Sequence, residues 1–150
     1  MDALASTIAR SARPEITRTL MGQTGLDDDL LATLVQRFYA KVRGDDLLGP
    51  IFAERIHDWT PHLERMADFW SSVALMTGRY HGAPVPAHAT LPVGRVHFDR
   101  WLHLFRETAH ELLPTAGAAH VIERAERIAR SLEMAIADHE REHGQPPGLR

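Results

Sequence analysis

The sequence predicts an all-α fold in a single domain. Three observations lead there. Apolar residues recur at helical spacing through every long segment, period-2 apolar runs are missing, and Pro or Gly punctuates the chain between periodic segments. With 150 residues the chain is one domain in size, large enough to bury about two-thirds of its unfolded surface. It is 44% hydrophobic and 25% charged with a net charge of −3, a balance that fits a globular protein. No Lys/Arg block stands out, so nucleic acid is not an expected partner. Cys is absent, which removes disulfides and thiolate chemistry together. No apolar run approaches the roughly 18 residues needed to span a bilayer, and residues 1–18 lack the apolar core of a targeting peptide. A cytoplasmic protein without membrane contact is expected.

Residues 3–11 and 14–21 read as two short helices divided by Pro14, with Gly22 and Gly25 marking the turn. Asp27, Asp28 and Asp29 then supply negative charge at a helix start, where it favours the dipole. Leu31, Leu34, Val35, Phe38, Tyr39 and Val42 follow at helical spacing until Gly44. DDLLGPIF (45–52) reads as a tight corner and a short apolar link. Thr60 is expected as N-cap and Pro61 as first residue of a helix reaching about Thr77. Gly78 and Gly82 bracket its exit, and Pro84, Pro86, Pro92 and Gly94 confine 83–94 to a short helical turn or two. A helix from about Arg95 to Leu112 comes next, then Pro114 and Gly117. A final helix runs from about Ala118 to His139, with EHGQPPGLR as a frayed end.

Wheel positions single out four residues with polar tips. Tyr39 falls beside Leu31, Val35 and Val42 on the inward face of its helix. His62 lies within about 40° of Met66 on the stripe that also holds Trp70 and Val73, while Glu64, Arg65 and Asp68 point elsewhere. Trp101 sits with Phe98, Phe105 and Leu112 at the centre of a buried arc. An unpaired buried polar group costs about 1–3 kcal/mol. Three on separate helices therefore suggest a shared non-protein partner, and haem iron is the partner favoured here. His88 is the favoured iron ligand, because Pro86 before it and Leu91-Pro92 after it pin the imidazole. Leu91 and Val93 are expected to pack under a flat cofactor. The flanking His81 lies in a turn context that suggests solvent, and His97 adjoins the inward Phe98 and is expected to point outward.

FYAKVRGDDLLGPIF (38–52), DWTPHLERMADFWSSVALMTGRYHGAP (58–84), HATLP (88–92) and HFDRWLHLF (97–105) closely resemble the group III truncated haemoglobins. The likeness runs in order over about residues 26–139. It implies a two-on-two helical sandwich around a b-type haem (iron protoporphyrin IX). Residues 1–25 are then an N-terminal helical extension and 26–150 the globin domain. In this likeness His88 matches the proximal iron ligand, and Tyr39, His62 and Trp101 match the distal pocket. Phe52 and Trp70 match positions near the haem, and Met66, Phe69 and Phe98 are counted with them as cofactor lining. Arg79 and Tyr80 are candidates for the haem propionates, with a solvated turn as the alternative.

The expected chemistry is a five-coordinate ferrous iron whose sixth position takes O₂, NO, CO or a similar small ligand. Two hydrogen-bond donors, Tyr39 O–H and Trp101 Nε1–H, predict slow O₂ release, better suited to redox, nitric oxide or peroxide chemistry than to bulk oxygen transport. Ferric iron would need an unidentified reductase to recycle it. Two rivals come from other classes. A non-haem di-metal bundle is suggested by Glu107-x-x-His110 and Glu140-x-x-His143, although the wheel puts His103, Glu107 and His110 on the wet face. A cofactor-free helical interaction domain explains the apolar stripes and leaves the converging Tyr, His and Trp as coincidence.

Overall fold

The computed structural model describes residues 2–82 and 92–143. His88 and Leu91 lie outside the described residues, as do the rest of 83–91 and the tail from 144 onward. Seven helices and no strand occur among the described residues.

The N-terminal pair is α1 (Ala3–Ala9), capped by Asp2, and α2 (Pro14–Thr24), with Pro14 in its first turn. Helix α2 does not stop at Gly22 as expected. It runs on to Gly25, whose φ of 75° gives the left-handed cap, while Gly22 is carried within the helix. A glycine inside a helix costs about 1 kcal/mol, so the conformational demand at Gly25 is the stronger stop signal. Helix α3 (Asp28–Gly44) starts where the three aspartates placed it, and Asp27 accepts from the Leu30 N–H at 2.8 Å.

The expected link over 45–52 is instead a corner followed by a helix, α4 (Gly49–Arg55). Leu48, Ile51, Phe52 and Ile56 recur at helical spacing, and Pro50 sits in the first turn, where its missing N–H costs nothing. Helix α5 (Trp59–Leu75) begins two residues early, because Asp58 rather than Thr60 is the cap. It ends at Met76, which takes the left-handed conformation. Helix α6 (Arg95–Leu112) matches its expected limits. Helix α7 (Thr115–His143) exceeds its own at both ends, passing through Gly117.

Helix α3 packs on α5 and α6, and α6 packs along α7, which gives the two-on-two sandwich. Helices α1 and α2 lie against α3, α5 and α7. Thr17 donates its hydroxyl to the Leu75 carbonyl at 2.8 Å, and Met21 joins the main apolar cluster. That cluster centres on Phe38 and Phe105. A second, smaller cluster holds Phe98, Ala129, Leu132 and Ile136, and the partly buried Leu102 and Ile128 pack against both. Domains of this size usually have one contiguous core. Here two fully buried clusters are bridged by Leu102 and Ile128, and the site lies between them.

Candidate functional site

Residues of both clusters line one cavity of about 340 Å³. Its walls come from five helices. Helix α3 gives Tyr39; the corner and α4 give Leu48, Ile51, Phe52 and Arg55, with Ile56 just beyond. Helix α5 gives His62, Arg65, Met66, Phe69 and Trp70; α6 gives His97, Phe98 and Trp101; α7 gives Ile128, Ala129 and Leu132. Tyr80 and Val93 complete the lining from the connecting segments. Tyr39, His62 and Trp101 therefore meet at one space. Phe52, Met66, Phe69, Trp70, Tyr80 and Phe98 join them there.

Aromatic packing sets the three polar tips. Tyr39 is buried, with its ring 5.2 Å from that of His62 in an edge contact. Phe38 stands edge-on to both Tyr39 and Trp101, at 5.0 and 5.3 Å, and so spaces the phenol from the indole. Trp101 is stacked on Phe105, and Phe105 on Trp70. Burial pushes the Tyr39 phenol far above its ordinary pKa, so it stays a neutral O–H donor.

Arg79 does not border the cavity. Its guanidinium pairs with Asp28, whose other oxygen accepts from Ser71 Oγ at 2.8 Å, and both partners are largely covered. Neither a propionate-facing position nor a solvated turn describes it. The expected cation is replaced at the cavity by Arg55 and Arg65, exposed residues on its rim. Arg65 was expected to point away. It lies one helical turn from His62, and its long stem carries the guanidinium round to the rim.

His97 also differs from expectation, because it borders the cavity. Its Nδ1 accepts from the Gly94 N–H at 3.0 Å. That bond occupies the Nδ1 lone pair. His81 is exposed and does not line the cavity.

Trp59 is the main residue that the wheel analysis passed over. Its ring lies 5.7 Å from Tyr39, 5.4 Å from His62 and 6.4 Å from Phe52. It stands three residues before His62, hence on the same helical face, a signal hidden by starting that helix at Pro61. The helical spacing of Leu48, Ile51, Phe52 and Ile56 was the equivalent signal for α4.

The lining suits a flat apolar group bearing carboxylates. Among the described residues it is mostly hydrocarbon and aromatic, with no acidic residue, and its cations stand at the rim. The Glu-x-x-His rival finds no such place. His103, Glu107 and His110 are exposed, and Glu107 pairs with Lys41 at 2.7 Å. Among the described residues no cluster of three or more metal-ligating side chains forms.

Comparison with known proteins agrees with this geometry. Residues 19–137 match the model of the bacterial-like globin family. The chain is 33% identical over 116 residues to the group 3 truncated hemoglobin ctb of Campylobacter jejuni, covering 74% of this chain and 91% of the relative. The crystal structure of a group III truncated hemoglobin from Campylobacter jejuni superposes with a TM-score of 0.69 at 31% identity. It covers 74% of this chain and 91% of that one.

Proposed function

The chain belongs to the bacterial-like globins, among the group III truncated haemoglobins, and from this premise we propose that its cavity holds a b-type haem that binds diatomic ligands. When bound, the haem iron supplies the centre at which O₂, NO or CO is held. The observation that carries the reading is one largely apolar cavity between the two clusters, lined by Tyr39, His62 and Trp101 from three helices.

In this reading His88 would hold the haem iron, which would supply the site for a small ligand. Several features support the assignment. HATLP (88–92) matches the family motif, and Tyr80 and Val93, on the described chain to either side of that stretch, both line the cavity. The neighbouring histidines are accounted for, His81 by exposure and His97 by its bond to Gly94.

On the other side, Tyr39 O–H donates to the ligand, and Trp101 Nε1–H is a second donor that accepts nothing. His62 stands edge-on to Tyr39 and orients its ring. Arg55 and Arg65 receive the cofactor's carboxylates at the rim. Two donors in a dry pocket retain O₂ too strongly for bulk delivery, so redox, nitric oxide or peroxide chemistry is the proposed use, with a reductase returning the iron to the ferrous state.

The test is haem uptake. Purified protein is expected to bind added haemin with a Soret band, and His88→Ala to lose haem readily to a scavenging apoglobin. Full retention of haem by His88→Ala with an unchanged spectrum would pass the ligand role to another histidine.

A further inference from the structure

Beside the haem cavity lies a second one, of about 390 Å³, lined by Arg43, Gly49, Ala53, Ile56, His57 and Trp59. Its polar side chains are of one kind. The Arg43 guanidinium, the His57 imidazole and the Trp59 indole all offer N–H donors, and no lining residue carries a carboxylate. Arg43 joins no ion pair among the described residues. Its guanidinium instead lies over the Trp59 ring, 4.6 Å from the centroid. Stacking of this kind holds a permanently charged, planar fork in place, so little freedom is left to lose on binding. Asp58, the acid next to His57 in sequence, is occupied in capping α5 through the Thr60 N–H.

We infer that this cavity binds a small inorganic oxyanion of nitrite or nitrate size. A guanidinium matches two oxygens of a planar anion at once, and an indole N–H can only donate. The fixed charge of Arg43 repels a cation, and a neutral acceptor gains hydrogen bonds here without the charge attraction. The site also touches the ligand pocket, since Ile56 borders both cavities. Trp59 rests on Tyr39 and His62 with its ring. An anion held on Arg43 and the Trp59 indole therefore biases the wall behind the distal donors. That coupling rests on the haem reading; the anion site itself does not.

The experiment is a nitrate titration of the CO-saturated holoprotein at constant ionic strength, in a buffer free of phosphate and sulfate. Indole N–H resonances are followed by NMR, and the Trp59 signal is assigned by its loss in Trp59→Phe. With CO on the iron, nitrate binding at the metal is not what is read. The Trp59 resonance is expected to shift saturably, and more than those of Trp70 and Trp101. In Arg43→Gln the affinity is expected to fall roughly ten- to hundredfold, with partial recovery in Arg43→Lys. Arg43 is exposed, so neither variant threatens the fold. A Trp59 signal that stays still, drifts without saturating, or titrates equally in Arg43→Gln overturns the inference. Absence of a Soret band in the same samples would instead refute the haem reading, whatever Trp59 does.

Discussion

Tyr39 keeps its proton because the ring is buried among Phe38, Phe52, Trp59 and His62, where burial disfavours a phenolate. A neutral phenol both donates and accepts, whereas the Trp101 indole donates only. The two tips are therefore not interchangeable. A single donated hydrogen bond in such a pocket contributes about 1–2 kcal/mol. Tyr39→Phe, which removes the hydroxyl and keeps the ring contacts, is expected to speed O₂ dissociation roughly five- to thirtyfold. Stopped-flow measurement of O₂ release from the ferrous protein checks it, and an unchanged off-rate removes Tyr39 from ligand retention.

Helix α4 shows how one corner serves the site. Asp45 is buried and accepts from the Leu48 N–H at 2.9 Å, the Leu47 N–H at 3.1 Å and Arg100 Nε at 2.6 Å. Burial by itself would raise its pKa, but these donors outweigh it and hold the carboxyl below the usual range. The ion pair ties the start of α4, which carries Ile51 and Phe52, to α6, which carries Trp101. Gly49 permits the close approach: a Cβ there would lie 2.8 Å from the Arg43 carbonyl oxygen and meet backbone rather than a movable side chain. Gly49→Ala is therefore expected to destabilise the fold by about 1–3 kcal/mol. Urea unfolding of the two proteins measures it, and coincident midpoints would contradict the close contact.

Across the whole molecule, α5 and α7 are joined by the His120 ring, whose Nε2 lies 2.8 Å from the Ala74 carbonyl oxygen and donates to it. Partial burial lowers the His120 pKa, with Arg124 adding to the effect, and these outweigh the opposing hydrogen bond to Ala74 and the charge of Glu123. The sign follows directly. The unfolded chain takes up this proton first as pH falls, so stability rises with pH across the titration of this group. The contribution of His120 is present at neutral pH and declines as pH drops below about 6.5. His120→Gln is expected to flatten the fall in stability between neutral and mildly acidic pH. Denaturant titrations at several pH values in that range test this, and an identical pH profile in the variant would contradict it.

Much of this was legible in the chain. The strong 3.6-residue pattern from Leu31 to Val42 and from Phe98 to Leu112 fixed α3 and α6, because a repeated apolar stripe leaves a helix few other ways to bury itself. The same pattern put Tyr39, His62 and Trp101 inward on their helices, and the motifs between them carried the family. Local reading failed where competing signals sat side by side, as with Gly22 against Gly25, Thr60 against Asp58, and the short α4. Partners far apart in the chain were invisible to it: Arg79 with Asp28, Arg100 with Asp45, and Arg43 over Trp59. Periodicity reports which way a Cβ points, and from that the inward direction of Tyr39, His62 and Trp101 followed, while Arg65 and His97 were read as pointing away and border the cavity. Where a long cationic side chain ends depends on the neighbouring element that receives it, and that is settled only once the helices have packed.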